Sequence, residues 1–243
     1  MTRRRWIADH WDEATATLIG EQAGHLVRVL RAQTGMEYDI VAGGRVWHGV
    51  IARIAPEEVR FNLVAEVAAD PALPVTLLIS IFKFDRMEWA IEKATELGVQ
   101  AIVPVVARRS EKHLALAAEK RVERWRRIAH EAAQQSRRAD VPLIEEPASL
   151  KLAARNAPDS MRLVLAEQER GTTLRQMVSE LLIAAGDEVP SIRVAIGPEG
   201  GWAPDEAALL DAEGWRPVSL GPRILRAETA TIAAMSVIAA MLE

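Results

Sequence analysis

The sequence predicts a β-rich first domain, residues 1–70, followed by a larger α/β domain, residues 75–243. Three observations carry this prediction. Strand-like segments fill the first part of the chain, two prolines interrupt the pattern at residues 70–74, and apolar strands then alternate with helical segments. Such alternation is typical of an α/β domain built on a mainly parallel sheet.

The first domain carries a hairpin pattern. Residues 38–41 and 45–51 are strand-like and flank a turn at 42–44 that contains two glycines. Residues 59–64 alternate apolar and polar side chains for most of their length, as a half-buried strand does. We therefore expect β-structure with one tight hairpin in this domain.

The second domain alternates predicted strands and helices. The strands are predicted at residues 75–81, 101–106, 162–166, 192–196 and 217–220, and the helices at 87–97, 115–138, 174–184, 204–212 and 228–242. Within the last helix, residues 232–242 are apolar nearly all round, which predicts burial on every side. This stretch is too short to cross a bilayer.

Composition excludes several kinds of chemistry. The 243 residues include no cysteine, which removes disulfides, thiolate zinc sites and cysteine nucleophiles. The five histidines are scattered without metal-binding spacing, so no metal is expected. No apolar stretch of signal-peptide length follows the arginines near the start of the chain. We expect a cytoplasmic protein that has no contact with a membrane.

Basic residues are unevenly distributed, although the net charge is −4. The candidates for contact with nucleic-acid phosphates are Arg3, Arg4, Arg5, Arg108, Arg109, Arg137 and Arg138. Other basic side chains, such as Lys120, Arg124 and Arg127, recur at helical spacing among glutamates. Their alternative role is a solvated helix face.

Three loops follow predicted strands of the second domain, at residues 167–171, 197–202 and 221–229. Ligands bind beyond the carboxyl ends of the strands in parallel α/β sheets. The glycines at 197, 200 and 201 allow a ligand to approach the backbone closely, although tight turns alone would also explain them. The spacing matches neither a phosphate loop nor a dinucleotide fingerprint.

Two of these loops carry long motifs. Gly-Pro-Glu-Gly-Gly-Trp at 197–202 and Leu-Gly-Pro-Arg-Ile-Leu-Arg-Ala-Glu-Thr-Ala at 220–230 together closely resemble the signature of RsmE-type ribosomal RNA methyltransferases of the SPOUT superfamily. Segments that match the same family in the right order are 25–31, 85–98, 124–133 and 135–138. The sequence departs from the family at Phe84, where a glycine is expected, and at Arg137, where a small residue is common.

This resemblance implies a fold and a function. The first domain would be a PUA-like β-barrel that binds RNA, and the second a SPOUT α/β methyltransferase domain with a trefoil knot near its carboxyl terminus. The activity would be transfer of a methyl group from S-adenosyl-L-methionine to N3 of a specific uridine in small-subunit (16S) ribosomal RNA. The family also implies a homodimer with the final helix at or near the interface.

The resemblance further assigns site residues. The implied cofactor contacts are Leu165, Ala166, Glu167, Gly197, Pro198, Gly200, Gly201, Leu220, Gly221, Ile224, Leu225, Arg226, Thr229 and Ala230. Uridine N3 is a poor nucleophile until its proton leaves, so the site needs a cation near the uracil oxygens or a general base. Arg226 is the candidate cation. Glu199 and Glu228 are the candidate bases, and either could instead brace its loop.

Two other classes of function stay open from the sequence. The chain could be a non-catalytic RNA-binding factor for ribosome assembly, against which the intact glycine loops argue. An oxidoreductase is supported only by the α/β pattern, since a dinucleotide fingerprint is missing. Affinity for S-adenosylmethionine or for NAD would separate these classes.

Overall fold

The computed structural model describes residues 5–155, 160–186 and 188–243, which form two compact units. The first unit holds the described residues up to Pro71 together with Ala133–Val141. The second unit holds Ala72–Ala132 and the described residues of Pro142–Glu243. The segment Ala133–Val141 thus groups with the first unit, although it lies inside the stretch assigned by sequence to the second domain.

The first unit contains one six-stranded sheet and a helix. Its elements are β1 (Trp6–Ile7), β2 (His10–Trp11), β3 (Thr15–Ile19), α1 (Gly20–Arg28), β4 (Glu37–Ala42), β5 (Arg45–Ala55) and β6 (Glu58–Val67). The strand order is β1-β4-β5-β6-β3-β2, and every pair is antiparallel except β1 with β4. The core is formed by buried side chains that include Trp6, Leu18, Leu26, Ile40, Ile51 and Phe61.

The hairpin prediction for the first unit is confirmed. Ala42 pairs with Arg45 across the turn, and the β4–β5 ladder continues from there. The sequence analysis missed helix α1, which begins at a glycine and contains a second one, Gly24. Glycine disfavours helix intrinsically, so this helix depends on tertiary burial of side chains such as Leu26.

The second unit contains a seven-stranded, all-parallel sheet with helices between its strands. Its strands are β7 (Val75–Ser80), β8 (Ala101–Val106), β9 (Leu143–Ile144), β10 (Ala148–Ser149), β11 (Met161–Leu165), β12 (Ile192–Ile196) and β13 (Arg216–Val218). Its helices are α2 (Phe84–Glu96), α3 (Lys112–Ala117), α4 (Val122–Gln135), α5 (Leu150–Arg155), α6 (Leu174–Ala185), α7 (Pro204–Ala212) and α8 (Ala227–Leu242). The strand order is β10-β8-β7-β12-β11-β13, with β9 beside β8, so the predicted parallel α/β sheet is confirmed.

The predicted helix over residues 115–138 is wrong in its limits and its continuity. Helix α3 begins at Lys112, and a 3₁₀ turn at Glu119–Arg121 separates it from α4. Helix α4 ends because Arg137 adopts the left-handed conformation, with φ of 63°, and the next amide N–H donates to the Ala133 carbonyl oxygen. Glycine is the usual residue at such a position, so an arginine gave no signal in the sequence.

The final helix is less covered than its sequence predicts. Helix α8 packs against α2 and α6, and Thr231, Ala234, Met235 and Ile238 are buried. Ser236 and Ala240 are exposed on another side of the helix. Burial on every side is therefore wrong for the chain taken alone. Nowhere in the described parts of the chain is a helix long and apolar enough to span a membrane.

Candidate functional site

Four neighbouring strands of the second unit end at the same edge of its sheet. Strand β11 lies between β13 and β12, with Leu165 level with Val218, and β12 ends with Ile196 level with Ile79 of β7. The three glycine-containing loops predicted from the sequence follow β11, β12 and β13. They meet at the edge where parallel sheets bind their ligands.

A cavity of about 630 Å³ lies among these loops. Its volume is within the range of small-molecule sites. The predicted cofactor residues that line it are Leu165, Ala166, Glu167, Gly197, Pro198, Gly200, Gly201, Leu220, Gly221, Ile224, Leu225, Arg226 and Ala230. Glu199, a candidate base, also lines the cavity.

Two predicted site residues do not lie on the cavity wall. Both are in the first turn of α8, where Ala227 and Ala230 face the cavity because they are three residues apart on the helix. Thr229 is exposed, and Glu228 is buried beside Arg86 of α2. The geometry therefore does not support cofactor contact by the Thr229 side chain or direct substrate contact by Glu228.

The 197–202 loop is a tight turn held at several points. Gly201 has φ of 68°, and its amide N–H donates to the Pro198 carbonyl oxygen at 2.8 Å. A Cβ atom at Gly197 would come within 3.2 Å of the Trp202 ring. The indole N–H of Trp202 donates to the Leu165 carbonyl oxygen at 3.3 Å, which ties this loop to the end of β11. The absence of a side chain at Gly197 thus leaves room for the Trp202 ring to pack closely against the loop.

Arg109 braces the same loop from outside. Its Nη1 donates to the Gly200 carbonyl oxygen at 2.7 Å and to the Trp202 carbonyl oxygen at 3.3 Å. The sequence analysis assigned Arg109 to RNA contact. The structure places it on the cavity wall with two loop carbonyls as acceptors.

The 167–171 loop is shaped by an acidic side chain. Glu169 accepts hydrogen bonds from the backbone N–H groups of Thr172 at 2.9 Å and Gly171 at 2.6 Å. These backbone hydrogen bonds hold the pKa of the Glu169 carboxyl group below its ordinary value. The carboxylate therefore stays ionised at neutral pH and holds the turn of this loop through Gly171 and Thr172.

The 221–229 loop presents exposed side chains at the cavity. Ile224 is 77% exposed, and Arg226 is also exposed. Arg226 is the N-cap residue of α8, where its carbonyl oxygen accepts the Ala230 amide N–H at 2.8 Å. Within the described residues no acidic side chain pairs with its guanidinium. A cation at a helix N-terminus opposes the helix dipole, so this arrangement costs stability rather than adding to it.

The cavity lining is strongly basic. Its charged side chains are Lys83, Arg86, Arg109, Arg170, Arg223 and Arg226 on the positive side and Glu167 and Glu199 on the negative side. A local positive field of this kind attracts a polyanion even though the whole chain has a net charge of −4. The site is therefore suited to a small molecule in its interior and to an anionic substrate at its mouth.

Arg86 is a site residue that the sequence analysis missed. Its Nη1 donates to Glu199 Oε1 at 2.7 Å, and its Nε lies 3.8 Å from Glu228 Oε1. The residue lies in the 85–98 segment that matched the family, but no spacing along the chain connects it to two glutamates more than a hundred residues away. Proximity of this kind is visible only in the folded chain.

The candidate RNA contacts have different surroundings. Arg5 donates to the Arg137 carbonyl oxygen, and both guanidinium groups lie near Asp39 in the first unit. Burial lowers the pKa of the Arg5 guanidinium, and the neighbouring Arg137 lowers it further. Arg138 is buried and donates to Asp140 at 2.6 Å. Arg5 and Arg138 therefore stabilise the first unit, and burial leaves them little surface to offer a phosphate. Arg3 and Arg4 lie outside the described residues.

Arg108 is part of a junction that positions helix α7. Its backbone N–H donates to Glu206 Oε1 at 2.7 Å, and the Ala203 N–H donates to Glu206 Oε2 at 3.0 Å. The Arg108 guanidinium forms an exposed ion pair with Asp205 at 2.6 Å. Glu206 is buried, so its carboxylate is the acceptor that satisfies two backbone donors at the start of the helix.

Glu206→Ala is expected to lower the free energy of unfolding by about 2–4 kcal/mol, because a buried N–H group of Ala203 and a part-buried N–H group of Arg108 lose a charged acceptor. Asp205→Ala is the matched control, since it removes the neighbouring exposed carboxylate and should leave stability nearly unchanged. Urea unfolding of both variants measures the difference. Equal midpoints for the two variants would show that Glu206 does not hold this junction.

Within residues 5–155, 160–186 and 188–243, no group of three histidine or acidic side chains is arranged to hold a metal ion. The features present are a cavity of small-molecule size, backbone groups on three loops and charged lining residues that are mostly basic.

Comparison with known proteins defines the class. A family described as an RNA methyltransferase domain matches residues 69–239. The ribosomal RNA small subunit methyltransferase E of Synechocystis sp. is 35% identical over 237 residues, which cover 95% of this chain and 75% of that protein. The protein of the same name from Bacillus subtilis is 31% identical over 228 residues, and the alignment covers 92% of this chain and 89% of the Bacillus subtilis protein.

Solved structures agree with this class. A ribosomal RNA small subunit methyltransferase E from Neisseria gonorrhoeae, bound to S-adenosyl methionine, superposes with a TM-score of 0.82 at 28% identity. The alignment covers 97% of this chain and 96% of that chain. The chain described here therefore belongs to the ribosomal RNA small subunit methyltransferase E family.

Proposed function

We propose that this chain transfers a methyl group from S-adenosylmethionine to N3 of a uridine in small-subunit (16S) ribosomal RNA. The observation that carries the proposal is the position of the two signature loops, 197–202 and 221–229, on the wall of one cavity at the carboxyl ends of β12 and β13, the two strands that flank β11. The related N. gonorrhoeae enzyme, solved with S-adenosyl methionine, supports the choice of cofactor.

The residues of the cavity fit S-adenosylmethionine. Ile196, Leu220 and Leu225 offer apolar surface, while the glycine loops offer backbone N–H and C=O groups that can hold an adenine. Glu167 is the acidic side chain of the lining that follows β11. Bound there, S-adenosylmethionine supplies an activated methyl group on a sulfonium, so one main task of the chain is to place the acceptor in line with it.

Arg226 is the residue that we assign to catalysis. Uridine N3 carries a proton, and its loss places negative charge on the neighbouring carbonyl oxygens of uracil. A guanidinium that is exposed at the cavity and has no described acidic partner can stabilise this charge as it develops. Its unfavourable place at the N-terminus of α8 is consistent with selection for function rather than for stability.

The two candidate bases differ in their access to the cavity. Glu199 lines the cavity and so can approach a nucleotide bound there, whereas Glu228 lies behind the wall. Arg86 occupies one oxygen of Glu199, which leaves the other oxygen for a second partner. Glu199 is therefore the base that we propose, and Glu228 has a different role.

The family also supports proposals for the fold and location. We assign the first unit, with its six-stranded sheet, to a PUA-like RNA-binding barrel, and the parallel sheet with α8 to a SPOUT knot. A ribosomal substrate places the protein in the cytoplasm. Neither a membrane nor a metal has a part in this scheme.

We expect a homodimer in which α8 lies at or near the interface. The side of α8 that carries Ser236 and Ala240 is exposed in the single chain, although the helix is apolar over most of its length. Sedimentation velocity at micromolar concentration should give the mass of two chains. A single-chain mass at this concentration would contradict the proposal.

The amino-terminal arginines are expected to contribute charge to RNA binding. Arg3→Ala/Arg4→Ala should weaken RNA binding and reduce the slope of log affinity against log salt by about 1–2, because fewer counterions are released. Arg5→Ala is a separate variant, expected to lower thermal stability because its guanidinium donates to the Arg137 carbonyl oxygen. An unchanged salt slope in the double variant would remove Arg3 and Arg4 from the RNA interface.

The proposed function is tested with purified components. The chain is incubated with methyl-labelled S-adenosylmethionine and small ribosomal subunits that lack methylation, and the RNA is digested to nucleosides. Label is expected in 3-methyluridine. Cofactor binding without transfer to any RNA would favour the non-catalytic assembly factor, and label in another nucleoside would refute the N3 assignment.

A further inference from the structure

Arg86 lies between two carboxylates that have very different surroundings. Glu228 has a side chain only 5% exposed, and its Oε2 has no hydrogen-bond partner among the described residues. Glu199, on the 197–202 loop, is 41% exposed and accepts from Arg86 at 2.7 Å. One guanidinium thus joins a buried glutamate on α8 to a glutamate on a cavity loop.

The burial of Glu228 explains why Arg86 is fixed in place. A carboxylate removed from water needs a cation nearby, and the Arg86 Nε at 3.8 Å is the cation paired with it in the described part of the chain. Glu228 also lies in the first turn of α8, where the helix dipole favours a negative charge. The attraction holds the arginine side chain toward α8 and leaves Nη1 directed at the loop.

We propose that Arg86 is a positioning residue that closes the 197–202 loop on the cofactor cavity, with Glu228 as its buried anchor. The inference rests on the proposed function, because the loop it holds is the proposed cofactor loop. In this account Arg86 and Glu228 act through Glu199 and the loop backbone, and neither one touches the reacting atoms.

The test separates positioning from simple stabilisation. Arg86→Met leaves the Glu228 charge buried without a cation and is expected to lower the melting temperature. Arg86→Met/Glu228→Gln leaves no buried charge, so the melting temperature should recover. The 197–202 loop still lacks the hydrogen bond from Arg86 to Glu199 in this double variant. Its backbone amides should exchange with solvent about tenfold faster than in the unaltered chain, measured without cofactor, and S-adenosylmethionine affinity should fall by about tenfold.

Two companion variants make the test independent of folding. Glu199→Gln keeps the Arg86–Glu228 pair and removes the charge from the loop end, so faster loop exchange is expected without a fall in melting temperature. Arg86→Lys has a single ammonium group for two carboxylates. Its loop amides should therefore exchange more slowly than those of Arg86→Met/Glu228→Gln but faster than those of the unaltered chain.

A matched control lies on the same helix. Glu88 of α2 accepts hydrogen bonds from Nε and Nη2 of Arg124, at 2.7 and 2.8 Å, and neither residue lines the cavity. Arg124→Met/Glu88→Gln therefore removes an arginine–glutamate pair that joins α4 to α2, and it should leave the exchange of the 197–202 loop unchanged.

Each outcome decides the inference. If the Arg86→Met/Glu228→Gln variant recovers both its melting temperature and the slow exchange of the loop, Arg86 is only a structural residue. Unchanged loop exchange in Glu199→Gln would also overturn the proposal. Faster loop exchange in both Arg86→Met/Glu228→Gln and Glu199→Gln would support the positioning role of Arg86. If the unaltered chain also transferred no methyl group, that role would stand and the proposed function would be refuted.

Discussion

Arg226→Ala is expected to lower the methyl-transfer rate by about 10²–10³-fold, as for the loss of other groups that stabilise a developing oxyanion. The effect should appear in kcat, because the proposed role of the guanidinium is to stabilise the charge that develops as N3 loses its proton during the reaction. S-adenosylmethionine affinity should change little, since the proposed contacts to the adenine come from backbone groups. Single-turnover rates at saturating cofactor and RNA measure the effect.

Protein stability provides a control for this variant. The Arg226 carbonyl oxygen, not its side chain, accepts the first hydrogen bond of α8, so the melting temperature should be unchanged or slightly higher in Arg226→Ala. Arg226→Lys should recover only part of the rate, because a point charge does not reproduce the planar guanidinium. Normal turnover by Arg226→Ala would show that the catalytic assignment is wrong.

Gly197→Val is expected to weaken S-adenosylmethionine binding by about 10–100-fold. The first added atom alone would lie 3.2 Å from the Trp202 ring, which is held by its hydrogen bond to the Leu165 carbonyl oxygen. The remaining atoms of valine must displace the ring or enter the cavity. Atoms that enter the cavity occupy space that the cofactor needs, and a steric cost of about 1–3 kcal/mol in the bound state corresponds to a loss of affinity of this order. Calorimetric titration with S-adenosylmethionine is the measurement.

Trp202→Phe separates the contribution of ring packing to cofactor affinity from that of the indole hydrogen bond. Phenylalanine keeps an aromatic ring beside Gly197 and loses the indole N–H, so a loss of affinity of no more than about tenfold is expected. If Gly197→Val binds S-adenosylmethionine as tightly as the unaltered chain, the cofactor does not lie against this part of the loop.

The strands and the site loops could be predicted because their signals are local. Nearly continuous apolar runs such as 75–81 mark buried strands, and a loop that follows a strand of a parallel sheet at its carboxyl end lies at the ligand-binding edge. This rule predicts that the loops at 167–171, 197–202 and 221–229 lie at the same edge of the sheet. The structure places all three around one cavity.

Features that depend on tertiary context could not be predicted. Arg137 ends α4 in a left-handed conformation that sequence rules assign to glycine. The direction of Glu228 depends on the rotation of α8 about its own axis, which turns Ala227 and Ala230 to the cavity and Glu228 to Arg86. Arg86 itself has no local signal, because its two partners come from other parts of the chain.

The most direct test of the central claim is mass spectrometry of small-subunit ribosomal RNA from a strain that lacks this chain. The RNA of this strain should have lost 3-methyluridine at one position. The unaltered gene should restore the modification, and the Arg226→Ala gene should restore little of it. Retention of 3-methyluridine at every position in the deletion strain would contradict the account.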